Sequence, residues 1–140
     1  MVFRLLLLLL FTVGFAPGAL ADGSGVVGYW HGRAYWHREF EYFDHYAADG
    51  HFDAHFRFYD GCKIVGKQWL TGTWSMPDEG TVRVVITWAD GEPTEPYIND
   101  YRTEELTEQL YRYTSMRRGV LYTSHRVDAN FVFQECGLTS

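Results

Sequence analysis

The chain has 140 residues, a formal net charge of -6 at pH 7, an aromatic content of 18% and two cysteines. That acidic balance argues against nucleic acid or an anionic membrane as partner. The length allows one domain with a modest core, which the aromatic residues either fill or line.

Met1 to Ala21 reads as a signal peptide. It has a single cation at Arg4, an apolar run from Leu5 to Val13, and Ala19-Leu20-Ala21 in the small-x-small form that a signal peptidase cuts. The run is shorter than the roughly 18 to 20 residues that span a bilayer. A domain over residues 22–140 is therefore expected outside the cytoplasm, periplasmic or secreted.

After a Gly-rich lead-in, Gly28 to Tyr46 alternates with period two. Trp30, Ala34, Trp36, Phe40 and Tyr42 take one face, and His31, Arg33, Tyr35, His37, Glu39 and Glu41 the other. It is long for one strand, so a bend or bulge is expected between Gly32 and Trp36. Asp49-Gly50 is a pairing suited to a type I′ hairpin. Beyond it Phe52, Ala54, Phe56 and Phe58 face one way and His51, Asp53, His55 and Arg57 the other. Asp60-Gly61 turns the chain into a run with Ile64, Leu70, Trp74 and Met76 on one face. Gly66 and Gly72 share that face and signal the bends that curl a sheet into a barrel.

Pro77-Asp78-Glu79-Gly80 turns again, and Val82, Val84, Ile86 and Trp88 alternate in a half-buried strand that Asp90-Gly91-Glu92-Pro93 ends. Tyr97 to Arg102 reads as a short strand. Thr103 to Glu105 reads as a turn, although Leu106 and Leu110 behind Thr103 also fit a capped helix. Strands follow over Leu106 to Thr114, Val120 to Val127 and Phe131 to Cys136. About eight short strands separated by turns define an all-β antiparallel barrel or sandwich. In an exported chain Cys62 and Cys136 are expected to form a disulfide. It would close a loop of roughly 75 residues and add about 4 kcal/mol on a chain-entropy basis.

With its strands in this order the chain resembles the small bacterial lipocalin-like domains of the calycin group. The residues concerned are Gly28-Tyr29-Trp30, similar to the lipocalin G-x-W; the series Tyr46 to Phe52 followed by Gly72-Thr73-Trp74-Ser75; and Asn99-Asp100-Tyr101, similar to T-D-Y. The resemblance implies an up-and-down β-barrel of about eight strands, Trp30 closing its bottom under Arg126, and an apolar ligand inside. Asn99 replaces the threonine, and the chain after the last strand is too short for the helix that packs outside a full lipocalin barrel.

Inward-facing Phe52, Phe56, Phe58, Trp74, Trp88, Phe131 and Phe133 either fill such a barrel or line it. Tyr29, Tyr97, Tyr101, Tyr111 and Tyr113 are candidates for its mouth. The expected ligand-binding set is Trp30, Phe52, Phe56, Phe58, Trp74, Trp88, Tyr101 and Tyr111. Register counting from the Asp49-Gly50 turn brings His45 toward His51 and His55, a cluster able to hold a transition metal or ligate haem, with Asp53 or Asp44 as second-shell acceptor. The simpler reading of these histidines is a solvated outer face. No nucleophile elbow, Cys-His setting or phosphate loop is present, so no enzyme is expected. The sequence thus favours a non-catalytic binder of a small apolar or amphipathic molecule without cofactor. Metal or haem binding, and a filled barrel acting through contacts with an envelope protein, are the alternatives.

Overall fold

The period-two alternation is realised as strands, interrupted by bulges, in a computed structural model that describes residues 25–135. The expected signal peptide and Cys136 lie outside the described residues. Eight strands follow one another: β1 (Gly28–Trp36), β2 (Arg38–Tyr46), β3 (His51–Asp60), β4 (Lys63–Asp78), β5 (Thr81–Ala89), β6 (Glu92–Leu106), β7 (Leu110–Ser115) and β8 (Leu121–Val127). Each pairs antiparallel with the next, and β8 returns to β1 through Tyr29↔Val127 to Gly32↔Ser124. The result is a closed up-and-down barrel, and no helix occurs among the described residues.

Strand number matches expectation by a different route. Gly28 to Tyr46 is not one bent strand but a hairpin that reverses at His37, held at φ 62°. No glycine, proline, asparagine or aspartate marks that reversal. Partners such as Ala34↔Phe40 and Gly32↔Tyr42 have the same parity, so the inward face is continuous across the turn. Phe131 to Cys136 is not a strand in its described part. Residues 131–135 instead cross the outer wall, where Phe131 packs on His31 at 4.4 Å and Arg57 lies 4.5 Å over Phe133. Beneath this strap the buried Glu41 accepts a hydrogen bond from Tyr59 at 3.0 Å and pairs with His31 at 2.9 Å. Phe131 and Phe133 are thus outside the barrel, because β1 and β8 pair with each other and leave them no ladder to join.

Other departures are local. β6 runs through Thr103 to Glu105 with a bulge rather than turning, and the chain turns at Thr107, whose Oγ1 accepts from the Leu110 amide at 3.0 Å. The I′ geometry belongs to Asp90-Gly91, with φ 53° and 82°, whereas at Asp49-Gly50 only the glycine has positive φ. A bulge between Ile86 and Trp88 shifts parity, setting Trp88 opposite Thr71 on the outer wall. Trp88 is 46% exposed and is corrected from the interior set.

One end of the barrel is sealed. Trp30 is fully buried and its indole donates to the Val26 carbonyl at 2.8 Å. Arg126 lies 4.2 Å over that ring and donates to the carbonyls of Val27 at 2.8 Å and Gly25 at 2.9 Å. Gly28 leaves room for the guanidinium, since a Cβ there would collide with it. Trp74 pins the adjacent hairpin by donating to the Ala47 carbonyl at 2.7 Å.

Gly72 sits where β4 bends across β5, and a Cβ there would overlap the Val85 carbonyl. Backbone cannot rotate away as a side chain can, so Gly72→Ala is expected to cost about 3 kcal/mol. Urea unfolding followed by tryptophan fluorescence checks this.

Candidate functional site

From the sealed end the barrel opens upward. β2 descends from rim to floor, and its alternate side chains Phe40, Tyr42, Asp44 and Tyr46 all face inward. The lower third is solid. Tyr46 packs edge-on against Phe52 at 5.0 Å and Trp74 at 5.7 Å, and Trp30 lies 5.6 Å from Tyr111.

Above that plug a cavity of about 280 Å³ opens toward the hairpin turns at His37 and Asp90-Gly91. Phe40, Phe56, Phe58, Tyr97 and Tyr122 line it, with Trp36 and Arg118 at the rim. The Arg118 guanidinium lies 4.1 Å over the Trp36 ring. The cavity tapers into a deeper space of about 30 Å³ beside Tyr42, Asp44 and Tyr113. Leu70, Asn99 and Tyr101 belong to both linings, so the narrow space continues the wide one. A hollow of similar volume on the outer wall, beside His55, Trp69 and Phe133, is more open to solvent.

Asp44 is the chemical peculiarity of the interior. It is 4% exposed; its Oδ2 accepts from the Tyr113 hydroxyl at 3.2 Å, and its Oδ1 has no hydrogen-bond partner among the described residues. Burial pushes the carboxyl up to about 7, against a smaller downward pull from the Tyr113 bond. Burial also raises the phenols of Tyr42, Tyr46, Tyr101 and Tyr113, so they stay protonated. Tyr42 and Ser124 share a hydrogen bond of 2.8 Å.

Of the expected ligand-binding residues, the structure brings Phe52, Phe56, Phe58 and Tyr101 to the cavity walls. Trp30, Trp74 and Tyr111 lie below in the plug, and Trp88 is outside. Of the candidate mouth tyrosines only Tyr97 approaches the rim; Tyr111 and Tyr113 are buried, and Tyr29 stacks on His45 at 4.1 Å on the outer wall. The expected register His45↔Asp53 and Phe43↔His55 is observed. His51 and His45 lie 3.2 and 3.7 Å from Asp53, but His55 turns to Trp69 at 4.8 Å. No group of three metal-ligating side chains able to hold an ion occurs among the described residues.

The sequence suggests Asp44 only as an acceptor for a metal-bound histidine and does not single out Arg118, which the structure sets at the cavity rim. The signal for Asp44 was present, an acid sharing parity with Phe40, Tyr42 and Tyr46. Comparison with protein-family models, curated proteins and solved structures finds no match for the chain.

Asp44 gives stability a pH slope of defined sign. Its folded carboxyl keeps a proton up to about pH 7, while the unfolded chain releases it near pH 4. This contribution is therefore most favourable below about pH 4 and is lost as pH rises to 7, on the order of 4 kcal/mol. Asp44→Asn, which mimics the protonated acid, is expected to match the wild type at pH 4 and exceed it at pH 8 in urea unfolding.

Proposed function

We propose that the protein is an exported, non-catalytic binding protein of lipocalin-like type that takes a small apolar or amphipathic molecule into its barrel. The observation that carries this reading is the cavity of about 280 Å³, ring-lined and open at one end only. A filled barrel has no such space, and small eight-stranded barrels are just wide enough to hold one guest. The sealed end supports the lipocalin-like reading, since Trp30 and Arg126 meet there as the resemblance implies. The outer wall carries Arg33, Glu39, His51, Asp53 and Arg57, a coat suited to water rather than to lipid.

The Cys62–Cys136 disulfide belongs to the same proposal. No free cysteine occurs among the described residues, and Gln134 and Glu135, next to Cys136 in sequence, share a surface hollow with Cys62. The purified mature chain is expected to have a mass lower by two hydrogens than its reduced form.

Binding is tested with the neutral environment-sensitive dye prodan. The wild type is expected to bind it with a blue-shifted emission. Leu70→Trp, which fills the passage between the wide and narrow spaces, is expected to weaken binding by about tenfold or more. Equal binding by a Leu70→Trp protein with native near-ultraviolet circular dichroism would sink the reading.

A further inference from the structure

The lower cavity holds an unused acceptor. Its volume of about 30 Å³ exceeds the roughly 10 to 15 Å³ that one water needs, yet is far too small for the body of a ligand. It suits a compact polar head. The wall facing that head is the Asp44 carboxyl, with Oδ1 unpartnered and Oδ2 held by Tyr113.

Among the described residues no cation balances this carboxyl. Arg118 stands at the rim and Arg126 behind Trp30, and only burial and the Tyr113 bond move Asp44 from its ordinary state. The groups that face it are Tyr42 and Tyr46 on β2, Tyr101 on β6, Tyr111 and Tyr113 on β7, and Tyr122 on β8, all phenols held protonated by burial. Its pairing neighbours are Trp30 on β1 and Ala54 on β3; β4 and β5 offer only Leu70, Val84 and Ile86. A buried carboxylate without a counter-ion is costly, and a guest that brings a positive charge and N–H donors removes that cost.

Resting on the reading that the cavity binds a ligand, we propose that its guests are amines with a flat or apolar body. The ammonium seats on Asp44 and the body lies among the rings above. The carboxyl near neutrality makes such binding pH-dependent: below pH 7 the free site is protonated, and seating an ammonium must displace that proton. An amine is then held more weakly at pH 5 than at pH 8, and a neutral guest equally at both.

The test compares tryptamine with tryptophol, which has a hydroxyl in place of the amine, by titration calorimetry on the mature chain. Tryptamine is expected to bind about tenfold or more tightly than tryptophol at pH 8, with the preference shrinking at pH 5. Asp44→Asn should abolish the preference while still binding tryptophol. Tyr113→Phe, which leaves the carboxylate in place, should retain it, and serves as a second measurement if the asparagine variant does not fold. Equal binding of the two compounds by the wild type, a flat pH profile for tryptamine, or an unchanged preference in Asp44→Asn each overturns the proposal. If prodan binds in the same protein while the amine is not preferred, only the amine inference fails. If prodan, tryptamine and tryptophol all fail to bind, the cavity reading fails with it.

Discussion

The guanidinium of Arg126 ties together three parts of the chain that are distant in sequence. It lies over Trp30, bonds the carbonyls of Gly25 and Val27 ahead of β1, and bonds the Glu108 carbonyl in the turn between β6 and β7. Hydrogen bonds from a charged donor are each worth about 1.5 to 3 kcal/mol, and the cation over the indole adds about 1. The residues that pack on Trp30 inherit the arrangement. With Trp30 fixed from above and below, Tyr46, Tyr111 and Phe52 have a floor to pack on, and empty space is confined to the other end. Gly28 makes this possible by carrying no side chain where the guanidinium passes.

Above the floor the interior is built from tyrosines more than from aliphatic residues. Tyr113 stacks on Tyr122 at 5.0 Å and meets the edge of Tyr101 at 5.2 Å. These rings bury apolar area as phenylalanine would, while their hydroxyls give the cavity polar points that an aliphatic lining lacks. Asp44 is the expensive member of this set. An asparagine of the same shape would fill that place without a charge to desolvate, so the acid costs the fold stability above neutral pH.

Much of this architecture was legible in the alternation of residues. The inward sets of β1 to β3 and the first half of β5 follow directly from parity, and the register around His45 and Asp53 follows from the Asp49-Gly50 hairpin. Two of the three motifs of the resemblance converge in space, Gly28 to Trp30 and the Ala47 to Trp74 pair at the sealed end, while Asn99 and Tyr101 line the cavity. Three features escaped for separable reasons. The turn at His37 uses a left-handed histidine, a residue that accepts positive φ more readily than most but is not the glycine, asparagine or aspartate that marks a hairpin in sequence. Trp88 faces outward because one extra residue in a bulge reverses every later side chain of the strand. Phe131 and Phe133 follow an alternating pattern yet join no ladder, because β1 and β8 already pair with each other and the ring has no vacant edge. Asp44 escaped differently: charge usually marks the solvent side, and only its neighbours' parity contradicted that.

The ladder that completes the ring has a kinetic consequence. Arg126 and Val27, which hydrogen-bond across it, are 99 residues apart in the chain. Until β8 is in place, β1 and β7 remain raw edges, so the ring closes only when segments from the two ends of the domain meet. Contacts of such sequence separation belong to topologies that fold in about milliseconds to seconds. In the closed ring each strand is held by a ladder on either side, so peeling one away breaks two ladders at once.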